Sequence, residues 1–376
     1  MRRRNFFANA AVAGVAAGLG IPQRPPSPKT LDLDSLLNVT EVPSIAIAGV
    51  IAGQPYQRFA GVRSMGDRSP VSIETHCPAL SLSKPVFAAA VHDLVRQGKL
   101  DWSKPLQDYL DLGLTGDAKA ITAAHVLTHS TGLPNWRFQP NVQLTAAFAP
   151  GSRWQYSGEG IFLLQRVVEK IVNVPIAGYM QQAVLAPLGM TSSTYAWTPD
   201  LLKNGTLGHD RHGAPLERSM VYYEQRNYDT LQKAGIKPES ATYEQVLAAY
   251  EKARVVPLAT AMSPNMAGSL WTTATDYAKF LIKSMADIQT RRDEYLPRVK
   301  VNQKIAWTLG WGVDQSLGKP AWFHWGDGPG YKNFAWIEPE KKTALAFFTN
   351  GDHGLQTYAA AFRRIVGEDP LSLSWL

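Results

Sequence analysis

Ser81-Leu82-Ser83-Lys84-Pro85, running on through Val86-Phe87-Ala88-Ala89-Ala90-Val91-His92-Asp93-Leu94-Val95 to Gly98, is the stretch around which the chain is organised. Its apolar residues recur at helical spacing, and Gly98 offers a C-terminal stop. Pro85 lacks an N–H and is tolerated only in a first turn, so the helix is expected to begin close to Ser81. That puts the Ser81 hydroxyl at the positive end of the helix dipole, beside backbone N–H groups able to hold an oxyanion. Lys84 falls one turn further on, on the same face. A serine hydroxyl needs a neighbouring base at neutral pH, and a partly desolvated lysine can serve. Ser81 is the candidate nucleophile and Lys84 its candidate base. Ser316-Leu317-Gly318-Lys319 repeats the spacing in a Gly/Pro stretch, where no helix fixes it, and reads as a loop.

The chain has 376 residues, 45% of them hydrophobic, enough for one large domain or two small ones. Its formal charge of +7 is concentrated at the start. Arg2, Arg3, Arg4, Arg24 and Lys29 precede any acid, and without them 33 basic residues face 31 acidic ones. With no basic stripe in the remainder, nucleic acid is not an expected partner. Arg2-Arg3-Arg4-Asn5-Phe6-Phe7 followed by an Ala/Gly-rich apolar run to Gly20 reads as an export signal. The order Arg3-Arg4-x-Phe6-Phe7 resembles a bacterial twin-arginine signal, which implies a periplasmic or extracellular protein. Pro22, Pro25, Pro26 and Pro28 mark a linker, so residues 1–30 are expected to be signal and linker and 31–376 the working domain. No later stretch reaches the roughly 18 apolar residues of a membrane span. Cys77 is the single cysteine and reads as a small buried hydrophobe.

Ser44–Ile51 and Tyr56–Val62, around Gly53-Gln54-Pro55, read as a β-hairpin. Trp102 to Met190 reads as helical with short loops, and Ile161–Val172 is its best amphipathic segment. Within 200–262, His209–Gly213 looks like a hairpin tip and Ala241–Ala253 like a helix. Trp271–Leu281 reads as a capped helix. Strands are expected again from Trp311, with Phe334–Ile337 and Ala344–Phe348 flanking a turn at Glu338–Lys341. A helix over Gln356–Val366 closes the chain. Strands at both ends with helices between them imply an antiparallel sheet built from both termini, interrupted by a helical subdomain at about 100–262.

Further motifs follow in order: Tyr156-Ser157-Gly158 after the Pro150-Gly151 turn, and His324-Trp325-Gly326 on a late strand. Leu127–Pro134, Pro187–Met190 and Ala267–Leu270 accompany them. Together with Ser81-x-x-Lys84, these resemble the serine hydrolase superfamily of class C β-lactamases, D-alanyl-D-alanine carboxypeptidases (penicillin-binding-protein-like) and related esterases, over roughly residues 40–350. The resemblance implies an α/β (α+β) fold of β-lactamase/transpeptidase type, with no cofactor or metal. It implies that Tyr156 sits against Ser81 and Lys84 and carries protons. It also implies an oxyanion hole made by the N–H groups of Ser81 and Asp327, with His324, Gly326, Gly158 and Trp325 lining the substrate site. Whether Lys84 or Tyr156 is the base stays open, because coupled groups titrate as a unit.

Two departures bear on substrate. Gly158 stands where the family has Asn, whose amide helps hold a substrate's acyl amide. His324-Trp325 stands where β-lactamases carry the Lys-Thr that grips a carboxylate. An imidazole beside an indole is a poorer anion site and a better apolar wall. The expected substrate is therefore an ester or small amide. The alternatives are D-alanyl peptidase or β-lactamase activity, or a non-catalytic relative that binds cell-wall peptide. Residues 200–262 are expected to shape the acyl or leaving-group pocket. His125 and His129, at i and i+4 without an intervening Glu, read as loop-stabilising histidines.

Overall fold

The computed structural model describes residues 32–139 and 142–374, so the expected export signal and linker lie outside the described residues. In chain order, α1 (Leu33–Thr40) leads into the hairpin β1 (Ser44–Ile51) and β2 (Gln54–Gly61), then β3 (Cys77–Pro78) and α2 (Ser83–Arg96). Next come α3 (Ala123–Leu127), α4 (Gly158–Val172), α5 (Ile176–Met180), α6 (Met220–Lys233) and α7 (Tyr243–Lys252). Finally β4 (Trp271–Thr272) and α8 (Ala274–Thr290) precede β5 (Val299–Lys300), β6 (Ile305–Trp307), β7 (Gly312–Asp314), β8 (Ala321–Gly328), β9 (Tyr331–Glu338), β10 (Thr343–Thr349) and α9 (Gly354–Val366).

The main sheet is antiparallel and eight-stranded, in the order β2-β1-β10-β9-β8-β7-β6-β5. It is built from both ends of the described chain, as expected. Its central strands are buried on both faces, and the period of two assigns alternate residues to two cores. Ile45, Ile47, Phe334, Trp336, Leu345 and Phe347 point to α1 and α9, where Tyr358 and Phe362 meet them. Ala46, Ala48, Ala335, Ala344 and Ala346 point the other way, to the core that includes α2 and α8. The first face packs aromatic rings. The second carries small side chains, which let the helices approach.

Four segments differ from expectation. Between Trp102 and Gly158 the described chain is mostly loop and single turns, because Pro105, Gly113, Gly116, Gly132 and Pro134 interrupt the Ala-rich helical pattern. Trp271-Thr272 forms a short strand against Cys77-Pro78, and the helix starts only after Thr273, whose hydroxyl accepts the Asp276 N–H at 3.1 Å. Strands return at Val299, before Trp311. The helix α6 was not foreseen. Its buried residues are Glu224, Asn227, Thr230 and Leu231, so its inner stripe is mostly polar and leaves little apolar periodicity to read.

Candidate active site

Ser81 lies in a turn of 3₁₀ helix, Leu80–Leu82, that runs directly into α2, so Pro85 takes the third helical position. Leu80 has φ of +53°, a left-handed conformation that costs a branched residue about 1–3 kcal/mol. The turn is held from several directions. The hydroxyls of Tyr277 and Tyr195 donate to the carbonyls of Leu82 (2.9 Å) and Ser83 (2.8 Å). Ser83 Oγ accepts the Leu270 N–H at 3.0 Å, and Asn333 Nδ2 donates to the Pro78 carbonyl at 2.9 Å. From the sheet side, Gly326 on β8 presses against the turn: a Cβ there would lie 2.5 Å from the Ala79 carbonyl oxygen. This is the close backbone approach that needs glycine.

Lys84 is 2% exposed. Its Nζ lies 2.8 Å from Ser81 Oγ and donates to the Ala267 carbonyl at 2.7 Å. Burial lowers its pKa from 10.5 to about 7, so a large share is the neutral amine at neutral pH. The Tyr156 ring lies 5.0 Å from Nζ, and its phenol oxygen is buried without a well-formed hydrogen bond. Burial raises the phenol's pKa, a shift that the neighbouring Ser81 hydroxyl only partly offsets. The structure thus brings Ser81, Lys84 and Tyr156 together.

Around Tyr156 the site is aromatic. His129 packs at 4.1 Å between ring centroids, Trp325 at 5.3 Å and Trp154 at 6.4 Å. Trp325, Trp154 and Tyr156 are each half-buried, so they offer ring surface to a ligand. His324 is fully buried and sits beneath this surface rather than on it. Its Nδ1–H donates to the Trp325 carbonyl at 2.8 Å, and burial, aided by Lys84, pushes its pKa down to about 3. It is a buried, neutral imidazole in the floor of the site. Asp327 pairs in register with Lys332 directly after the Gly326 contact, its carboxylate 2.7 Å from Lys332 Nζ. Gly158 is the first residue of α4, and its missing side chain leaves room for the Trp136 indole.

The remaining candidates resolve as structural groups. Nδ1 of His125 accepts the Thr122 N–H in a capping box, and Nδ1 of His129 accepts the Ser157 N–H at 3.2 Å. Asp210 caps the 209–213 turn through the His212 and Ala214 N–H groups. The Cys77 thiol is buried and pushed up to about 12, which leaves it unreactive. Ser316–Lys319 is a turn. Sequence reasoning missed Trp136, and it missed the Ala267 carbonyl because a backbone acceptor has no residue signature.

Residues 34–368 match the family described as Beta-lactamase. The chain is 29% identical over 166 residues to Esterase EstB of Burkholderia gladioli, covering 36% of this chain and 42% of that protein. It is 30% identical over 175 residues to a Beta-lactamase of Providencia stuartii, covering 44% and 45%. The chain therefore spans less than half the length of these curated relatives. A solved structure, the octameric penicillin-binding protein homologue from Pyrococcus abyssi, matches with a TM-score of 0.68 at 21% identity, over 90% of this chain and 77% of that one, and shows the shared fold. With the family match running from α1 to beyond α9, the chain belongs to the beta-lactamase family.

Proposed function

We propose that the protein is a serine hydrolase that cleaves an ester or small amide through an acyl-enzyme on Ser81. The observation that carries this is the buried, near-neutral Lys84 amine 2.8 Å from the Ser81 hydroxyl. As Oγ bonds to the substrate carbonyl carbon, its proton passes to Lys84. The oxyanion is held by the N–H groups of Ser81 and Asp327. Collapse breaks the bond to the leaving oxygen of an ester, or nitrogen of an amide, which takes a proton passed from Lys84 through Tyr156. Water then attacks the acyl-enzyme, gives its proton to the same pair, and Ser81 is restored. Because burial lowers the amine and raises the phenol, Lys84 is the base and Tyr156 the proton carrier.

Ester substrates are favoured by the neutral His324 in the third motif and by the aromatic surface of Trp154, Tyr156 and Trp325. Neither supplies a cation for a carboxylate. The test is intact-protein mass after incubation with a fluorophosphonate, and in parallel with penicillin, on wild type and Ser81→Ala. The expected result is a phosphonate adduct on wild type only, with penicillin left intact. A stable penicilloyl adduct would move the reading to a D-alanyl peptidase. An unmodified wild type would favour a non-catalytic, peptide-binding protein.

A further inference from the structure

The indole of Trp136 packs against Gly158, two residues after Tyr156, and forms a wall there whose place several contacts fix. Ser157 is extended, with φ −143° and ψ 112°. Side chains at 156 and 158 therefore leave the chain on one side and Ser157 on the other. The Ser157 hydroxyl turns away, donating to the Pro134 carbonyl at 2.8 Å and accepting the Gly160 N–H at 3.0 Å. A side chain at 158 would enter the cleft on Tyr156's side. That space is taken: a Cβ on Gly158 would lie 2.3 Å from Cζ2 of Trp136 and 2.6 and 2.7 Å from two more ring atoms.

Both neighbours of Trp136 are fastened to the first turn of α4. Asn135 accepts the Gly158 N–H on Oδ1 at 2.9 Å and the Glu159 N–H on its carbonyl at 2.8 Å. Arg137 donates its backbone N–H to Glu159 Oε2 at 3.1 Å, and its Nε lies 2.7 Å from Oε1. Glu159 is fully buried, so this pairing is sheltered from water. The indole, half-buried itself, packs against both the main core and the cluster that Phe162 forms with α6 and α7.

We propose that Trp136 is a specificity-determining residue that closes the Tyr156 side of the acyl pocket to amide-bearing acyl chains, so that the substrates are esters of short or flat apolar acids. This rests on the ester-hydrolase reading above. Against an indole face, an amide in the acyl chain loses its water partners and gains none, whereas an alkyl or aryl chain gains contact. Pockets discriminate by about 10- to 200-fold per small apolar group, and by more where a polar group is left unpaired.

The test compares kcat/KM of the full chain for two p-nitrophenyl esters of similar acyl length, butyrate and N-acetylglycinate. Wild type should prefer butyrate by about tenfold or more. Trp136→Ala should lower that ratio about tenfold, mainly through the KM of the amide-bearing ester, while Trp136→Phe keeps it. Trp136→Ala combined with Gly158→Asn places an amide in the vacated space and should favour N-acetylglycinate further. An unchanged ratio in Trp136→Ala overturns the proposal, as does equal turnover of both esters by wild type. If Trp136→Ala does not fold, Trp136→Leu takes its place and must show the same fall. A wild type that hydrolyses neither ester and takes no phosphonate overturns the hydrolase reading itself, a result distinct from the others.

Discussion

The floor of the cleft and its wall are fixed by opposite means. Under Ser81 the holding contacts are steric or neutral: Gly326 against the Ala79 carbonyl, Asn333 on Pro78, and the tyrosine hydroxyls on Leu82 and Ser83. The wall is fastened by buried charge. Glu159 grips Arg137, and in α6, whose Leu231 shares the apolar cluster that Trp136 packs against, the carboxyl of Glu224 is buried with Oε2 lacking a hydrogen-bond partner among the described residues. A floor held by close packing has one working geometry and little tolerance for added atoms. A wall held by ionisable groups answers to pH and can be rebuilt without moving the nucleophile. Under the proposed function, reaction chemistry and substrate choice would be carried by separately adjustable parts of one cleft.

The largest expected effect tests the floor. Gly326→Ala would force β8 away from the nucleophile turn, and kcat for an ester should fall by about 100-fold or more, as for the loss of one oxyanion donor or a misplacement of about 1 Å. Steady-state kinetics beside a thermal melt checks this, and an unaltered kcat would mean the packing is not what aligns Ser81. A smaller effect reads the buried lysine of the floor. As the proposed base, Lys84 would act only as the neutral amine, and burial lowers its pKa to about 7. Below that value it is protonated and inert, so kcat/KM should rise about tenfold per pH unit up to about 7 and level off above. A profile rising only near the ordinary lysine range would remove Lys84 as the base.

The smallest effect tests the wall. Burial raises the Glu224 pKa from 4.5 to about 7, against hydrogen bonds from Ser263, Ser269 and Asn227 that lower it. Between those two values the folded protein holds a proton that the unfolded chain has lost, so stability falls as pH rises through that window. Glu224→Gln, neutral throughout, should lack this fall. Urea midpoints at about pH 5 and about pH 8 give the comparison, with the variant gaining on wild type at the higher pH. Equal midpoint shifts in both proteins would show that the wall is not charge-controlled at this position.

The same division explains what could be read in advance. Ser81 and Lys84 were legible because one helical turn relates them, and the β1–β2 and β9–β10 hairpins because strand alternation and their turns are local signals. The antiparallel sheet followed from where those strands fall in the chain. The wall was not legible. Gly158 stood out only as a missing side chain, and nothing near it in sequence points to Trp136, twenty-two residues earlier, as the group filling the gap. The burial of His324 was not legible either: strand alternation leaves its ring fully buried while its neighbour Trp325 is half-buried. Polar helices such as α6 are hidden for the reason that makes them pH-sensitive: their inner stripe is made of side chains that usually mark a surface.

The pairing of β1 with β10 joins Ile45 to Thr349 and Val50 to Ala344. The last strand among the described residues is therefore interior to the sheet, and the first hairpin must wait for it. Until Thr349 has left the ribosome, β1 and β9 each present an open edge where a neighbour belongs, and such edges recruit other chains. Contacts this distant in sequence also slow folding. A chain interrupted before residue 343 would lack the strand that joins β1 to β9, and would be a substrate for chaperones and proteases rather than a smaller folded protein.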